Sequence, residues 1–333
     1  MATRGFRRFR RALFVVSLIA LSGWGLFFVP TGFLAVFPGS ALELDRIVTV
    51  EGGEKASQGD LLMTTVSSRD ASPALYLLAL IDPRVELRRK EDILPPGKDM
   101  REYWEDNRRM MENSQNIAKV LALQYLGIKA ELRGRGVLVR GVLPRGPAAD
   151  RLREHDVIVS INGTPVGFVE DLMEVMASRS VGERLKVGVI RNGHAQTVEI
   201  TAGEHPEIPG RAGIGVYIET YGFEASIPRE ITISAGGVTG PSAGLMFALE
   251  IINQMIPEDL TSGERIAGTG VLLPDGRVGA VGGVKQKVRA AEAARASVFL
   301  VPRANAQDAV SDRLKIIVVD SLEDALAKLR ALH

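Results

Sequence analysis

Five arginines, Arg4, Arg7, Arg8, Arg10 and Arg11, stand just before a stretch from residue 12 to residue 40 that carries no charge. Within it, residues 12–29 read A-L-F-V-V-S-L-I-A-L-S-G-W-G-L-F-F-V. As a helix at about 1.5 Å per residue this run spans roughly 27 Å, close to a bilayer hydrocarbon core of about 30 Å. Such a segment does not belong in a water-surrounded core, so the rest of the chain must fold without it. The expectation is a basic cytoplasmic tail over residues 1–11 and a single transmembrane helix over residues 12–33. A cleaved signal peptide fits less well, because the apolar run exceeds a usual signal h-region and no clean A-x-A site follows. Arginines before the run, and Glu43 and Asp45 after it, place the N-terminus in the cytoplasm and everything beyond about residue 40 outside.

The 333 residues leave room for two or three domains behind that anchor. Lys and Arg total 41 against 40 Asp and Glu, a balance that gives no electrostatic reason to expect nucleic acid as a partner. The chain has no cysteine, which removes disulfides, thiolate metal sites and cysteine nucleophiles. No metal or cofactor is expected, and any nucleophile carries oxygen or nitrogen.

Residues 40–123 read as a β-rich segment followed by a connecting helix. Short strand-like runs I-V-T-V at 47–50 and L-L-M-T-T-V at 61–66 flank a turn-rich G-G-E-K-A-S-Q-G-D. After Pro95, Pro96 and Gly97 the pattern becomes helical over residues 99–126, with Met111, Ile117, Ala118, Leu121 and Ala122 on one stripe. Tyr103, Trp104, Met110 and Met111 read as helix packing.

Next come Y-L-G-I at 125–128, V-L-V-R-G-V-L-P-R-G-P-A-A-D-R-L at 137–152 and D-V-I-V-S-I-N-G-T-P-V at 156–166. This segment, residues 124–203, resembles a bacterial PDZ domain. The resemblance implies that Leu126, Gly127 and Ile128 present backbone N–H groups to the C-terminal carboxylate of a peptide that adds as a strand. A helix near residues 170–178 would form the other wall, with Leu172 and Val175 or Met176 shaping a pocket. His155 stands where the PDZ turn before D-V-I usually has glycine, a position where histidine is tolerated.

From residue 204 to 333 strands and helices alternate, giving an α+β domain and, for the whole chain, an α+β multidomain fold. The stretch G-G-V-T-G-P-S-A-G-L-M-F at 236–247 places Ser242 at a helix start, where unpaired backbone N–H groups can hold an oxyanion. A serine hydroxyl needs a base. None of the four histidines, His155, His194, His205 and His333, lies in a segment that looks like a site, which disfavours a Ser-His-Asp triad, with His205 still open as a base, and turns attention to a lysine. The glycine-rich approach A-V-G-G-V at 280–284 leads to Lys285 at a helix start, where desolvation and the helix dipole lower a lysine pKa. Reaching 7–8 from about 10.4 takes on the order of 3–4 kcal/mol. Lys287, two residues on, is nearly as good on spacing alone.

G-P-S-A-G at 240–244, T-G at 269–270 and G-G-V-K at 282–285 together resemble the proteolytic domain of Lon proteases. The resemblance implies Ser242 as nucleophile, Lys285 as its general base in a Ser-Lys dyad, and Thr269 orienting the lysine. Thr239 stands where that family often has aspartate. No G-x-x-x-x-G-K-[ST] phosphate loop occurs, so ATP-driven unfolding is not expected. One membrane pass, a PDZ domain and a Lon-type domain together are similar to the YlbL-like membrane-anchored proteases. The resulting expectation is an ATP-independent serine endopeptidase in the cytoplasmic membrane, its catalytic domain extracytoplasmic, acting on peptide or unfolded protein delivered to the PDZ groove. The resemblance also allows a homo-oligomer, since Lon-type domains can form rings. Two rivals stand beside it: a non-proteolytic PDZ adaptor with a structural Lon-like domain, and an amidase or esterase using the same dyad.

Overall fold

The computed structural model describes residues 2–54, 58–94, 99–206 and 208–332, with the side chains of residues 2–12, 19 and 20 outside the described set. The chain opens with α1 (Ala2–Phe28), β1 (Phe33–Glu43), β2 (Val48–Val50), β3 (Asp60–Asp70), α2 (Pro73–Ile81), β4 (Glu86–Arg89), α3 (Lys90–Ile93) and α4 (Met100–Tyr125). The expected membrane span of residues 12–33 falls on α1, which ends at Phe28, and on the residues after it; within the span only the side chains of residues 12, 19 and 20 lie outside the described set. Among the described residues no helix is long and apolar enough to cross a membrane.

Two compact units share the chain. One holds residues 1–118, 231–272 and 276–333; the other holds residues 119–230 and 273–275. The second unit is inserted in the sequence of the first. The division departs from the sequence-based boundaries at two places: residues 40–118 belong with the C-terminal part, and residues 204–230 belong with the PDZ segment. Both departures are strand pairings between distant residues.

In the inserted unit, β5 (Glu131–Arg133), β6 (Gly136–Val142), β7 (Val157–Ile161), β8 (Thr164–Pro165), α5 (Val169–Ala177), β9 (Arg184–Arg191) and β10 (His194–Thr201) are followed by β11 (Gly203–His205), β12 (Ile208–Gly213), β13 (Val216–Tyr221) and β14 (Glu224–Ser226). The main sheet runs β10-β9-β7-β6-β13. β13 pairs with β6 and β14 with β5, which is why residues 204–230 stay with this unit. Val137 and Val139 of β6 and Leu185 and Val187 of β9, alternating along their strands, fill its core together with Ile158 and Ile161, which lie on either side of a register shift in β7. His155 adopts φ +71°, the left-handed turn conformation expected of it.

The remaining elements are β15 (Ile231–Ile233), α6 (Gly244–Asn253), β16 (Arg265–Gly268), β17 (Val271–Leu272), β18 (Val278–Gly279), α7 (Val284–Ala293), β19 (Val298–Pro302), β20 (Lys315–Val319) and α8 (Leu322–Arg330). They build a sheet of order β20-β19-β16-β3-β1-β4, in which β3, β16, β19 and β20 are parallel and β1 and β4 are antiparallel to their neighbours. β3 pairs with β16 across roughly 200 residues of chain, from Asp60 opposite Arg265 to Met63 opposite Gly268. The β-rich N-terminal segment is therefore the second half of this domain's sheet.

Successive residues of a strand point to opposite faces, and β16 uses both. Ala267 packs in a cluster with Val284, Val288 and Ala291 of α7, whereas a Cβ on Gly268 would meet Met246 Sδ of α6 at 2.5 Å. Helices α6 and α7 thus cover opposite faces, and the chain just beyond β16 lies where their starts can meet. Every residue of α6 is buried, which requires a helix apolar on all sides, as G-L-M-F-A-L-E-I-I-N nearly is.

Candidate active site

Ser242 lies two residues before α6 begins, in the loop that follows β15. That loop is pinned by α4: the N–H of Gly240 donates to the carbonyl of Asn107 at 2.9 Å, and the buried Ser114 hydroxyl donates to the carbonyl of Pro241 at 2.9 Å. Helix α4 can supply these groups because Met111, Ser114 and Ala118 recur at helical spacing on its buried side. Asp99 and Glu102 cap its start reciprocally.

Thr269 follows β16 directly and is 1% exposed. Its hydroxyl donates to the carbonyl of Ser242 at 3.0 Å, and the N–H of Gly270 donates to the same carbonyl at 2.8 Å. These bonds fix the Ser242 loop to the end of the sheet.

The lysine that meets Ser242 is Lys287. Its Nζ lies 2.8 Å from Ser242 Oγ and 2.8 Å from Thr269 Oγ1, donating to the threonine. Lys285, expected as the base, is exposed on α7 and makes no contact with the serine among the described residues. The reason is helical phase. Val284, Lys287, Val288 and Ala291 fall at i, i+3, i+4 and i+7, on the stripe that faces the sheet, and two residues of helix rotate Lys285 about 200° away from Lys287. Gly283, at φ +68°, starts this helix where a Cβ would come 2.8 Å from Val66 of β3, so the approach of α7 to the sheet needs glycine there.

Lys287 is 3% exposed, and burial alone pushes its amine down from 10.5 to about 7. No carboxylate forms an ion pair with it among the described residues. A neutral amine at hydrogen-bond distance from a serine hydroxyl can take its proton. The N–H groups of Ser242 and Ala243 find no acceptor among the described residues, so both remain available to an oxyanion.

The site opens into a cleft of about 510 Å³. Tyr103, Trp104 and Met111 of α4, which the sequence suggested were packing residues, line it together with Val36 of β1 and Val66 of β3. The pairing of β16 with β3 stops at Met63, leaving residues 64–70 of β3 paired only with β1. The floor of the cleft includes residues 64–68 of that half-paired strand.

The expected carboxylate loop of the inserted unit has a different role. The N–H groups of Leu126, Gly127 and Ile128 donate to the carbonyls of Ala122, Gln124 and Leu123, with Gly127 at φ +74°. This is a Schellman-type end to α4, and its donors are engaged. Leu172 and Met176 of α5 are core residues, and Val175 packs against that same core. A depression of about 860 Å³ in this unit, between residues 143–147 and 201–206, is lined by no serine and no lysine.

Residues 124–202 match the PDZ domain family, and residues 225–331 match the Lon protease (S16) C-terminal proteolytic domain. The chain combines a PDZ domain with a Lon-type proteolytic domain. It is 40% identical over 82 residues to the magnetosome formation protease MamE of Magnetospirillum gryphiswaldense, covering 24% of this chain and 11% of that protein. It is 30% identical over 129 residues to a probable periplasmic serine endoprotease, DegP-like, of Pseudomonas putida, covering 38% of this chain and 26% of that protein. The match thus spans only about a tenth to a quarter of these relatives. Among solved structures, the PDZ domain of an SdrC-like protein from Listeria monocytogenes is 26% identical, over 25% of this chain and 87% of that one, with a TM-score of 0.24.

Proposed function

We propose that the chain is an ATP-independent serine endopeptidase whose working pair is Ser242 and Lys287. The observation that carries this reading is a buried lysine amine, with pKa near 7, 2.8 Å from a serine hydroxyl at the head of a cleft. Ser242 Oγ attacks the scissile carbonyl carbon while its proton passes to neutral Lys287 Nζ. The oxyanion is held by the N–H groups of Ser242 and Ala243. The resulting ammonium returns the proton to the leaving amine as the C–N bond breaks, and water, deprotonated by the same lysine, hydrolyses the acyl-enzyme.

The half-paired stretch of β3 supports a polypeptide substrate over a small ester, because an extended peptide can add along that edge and bring a carbonyl to Ser242. A purely structural Lon-like domain would gain nothing from burying an amine at the cost of its solvation, which weighs against the adaptor reading. The anchor is part of the proposal: α1 exposes Leu13, Phe14, Val15, Val16, Leu18 and Trp24 around its circumference, each more than half in contact with solvent, behind the basic tail. The proteolytic domain then faces the extracytoplasmic side.

The full chain is expected to cleave unfolded protein and to be labelled by a serine-directed phosphonate, and Ser242→Ala to do neither. Undiminished cleavage by Ser242→Ala would exclude this nucleophile. Thr269→Val removes one of the two hydrogen bonds at Lys287 Nζ and one at the Ser242 carbonyl. A bond to a charged or charging group contributes about 1.5–3 kcal/mol, so kcat should fall about ten- to hundredfold. KM should change little and Thr269→Ser should restore the rate; equal loss in both variants would remove Thr269 from the positioning role.

A further inference from the structure

Helix α2, P-A-L-Y-L-L-A-L-I, contains no charged residue, and no residue in it is fully buried. Its inner side is accounted for: Leu75 and Ala79 pack against a cluster built on Ala35, Ala71 and Val85, and the Tyr76 ring meets Phe33 edge-on at 5.2 Å. Its outer side is not. Leu77, Leu78, Leu80 and Ile81 are 56%, 39%, 66% and 80% exposed, forming one contiguous apolar face on a helix nine residues long. A helix apolar all round is normally covered.

The position of α2 in the fold says by what. Its start is tied to the end of α1: the N–H and hydroxyl of Thr31 both donate to the carbonyl of Ala71, at 3.0 and 2.6 Å, and Ala71 donates to Phe33 at 2.9 Å. The two helices also pack against each other. Arg69, exposed, sits opposite Ala35 on β3, one of the strands that flank β1 at this root, suited to anionic headgroups, whereas Arg89, opposite Phe33 on β4, is paired with Glu91 at 3.3 Å. We propose that α2 seats its outer face in the interfacial layer of the bilayer beside α1, so that the far end of the catalytic cleft lies at the membrane surface. The proposal rests on the reading of α1 as an anchor.

The cleft itself gives the consequence. Its lining runs from Ser242 to Ser67 and Ser68 of β3 and Leu34 of β1, and Leu34 is only three residues, about 10 Å of strand, from Thr31. A polypeptide just emerging from the bilayer reaches this end of the cleft first. The substrate class assigned is therefore the membrane-proximal stretch of a membrane-inserted polypeptide.

The chain has no cysteine, so single cysteines can carry spin labels without background. The full-length protein is reconstituted in phosphatidylethanolamine vesicles containing phosphatidylglycerol, labelled in turn at Leu21, Leu80, Ile81 and Val310. Val310, 77% exposed and far from α2 in sequence, is the aqueous control. Labels at Leu80 and Ile81 should show a several-fold lower collision rate with a water-soluble relaxation agent, and a higher one with oxygen, than the label at Val310. A lipid-like Leu21 with water-like Leu80 and Ile81 overturns this inference and leaves the anchor standing; a water-like Leu21 removes both. Spin–spin broadening at Leu80 with no oxygen enhancement replaces the bilayer by a second copy of the chain. In the same vesicles, Leu77→Glu with Leu80→Glu should slow cleavage of a membrane-inserted substrate several-fold while leaving cleavage of its soluble peptide unchanged. Equal rates on both substrates overturn the substrate assignment.

Discussion

Replacing Lys287 by methionine is expected to lower peptide cleavage by about 10²–10⁴-fold or more, the contribution of a general acid–base group. Lys285→Met, on the same helix two residues earlier, leaves the rate near that of the unaltered protein. The contrast follows from placement: one amine is 2.8 Å from Ser242 Oγ and buried, the other points to solvent. The same geometry sets the pH dependence. In the proposed mechanism only the neutral amine accepts the serine proton, and burial holds the pKa at about 7. In the free enzyme kcat/KM should rise about tenfold per pH unit below 7 and level off above it, whereas an exposed lysine base would keep it rising toward about 10.4. A profile still climbing at pH 9 would remove Lys287 as the base, and a Lys285→Met variant as inactive as Lys287→Met would return the role to Lys285.

That distinction was present in the sequence, in a different signal from the one the motif offered. The resemblance led along G-G-V-K to the first lysine, but the spacing of Val284, Val288 and Ala291 already marks the inward stripe, and Lys287 is the lysine that falls on it. L-G-I at 126–128 held a similar ambiguity. A glycine followed by an apolar residue at the end of a long helical pattern is also a helix stop, and the structure uses it so. Periodicity marked α4, α6, α7 and α8 and the strands β3, β19 and β20. It could not reveal that β3 and β16 are neighbours, because the pairing joins residues about 200 apart and parallel partners leave no local trace. Nor could it find α2, whose uniformly apolar residues have no polar face to give a period. Ser242 and Thr269 were legible because short motifs name them; the contributions of Tyr103, Trp104 and Ser114 depend on tertiary docking of α4.

Lys287→Met should also make the protein more stable while it removes activity. In the unfolded chain the amine keeps its ordinary value of 10.5, and in the fold burial alone lowers it to about 7. Between those values the unfolded state binds a proton that the folded state does not, so the lysine-bearing protein gains stability as pH rises from 7 to 10.5. At 1.36 kcal/mol per unit the whole span amounts to about 5 kcal/mol, and below pH 7 the penalty is fully present and constant. Methionine fills a similar volume without that penalty, but it leaves the Ser242 hydroxyl without its partner and removes the acceptor role of Thr269 toward the amine, at about 1 kcal/mol each. The expected net gain near pH 7 is about 1–3 kcal/mol, shrinking toward zero or reversing near pH 10. Urea unfolding of both proteins at pH 6.5 and pH 10 measures it directly. Parallel stability curves, with no pH-dependent difference between lysine and methionine, would mean that the buried amine is not neutralised by the fold, and the proton acceptor for Ser242 would have to be sought elsewhere.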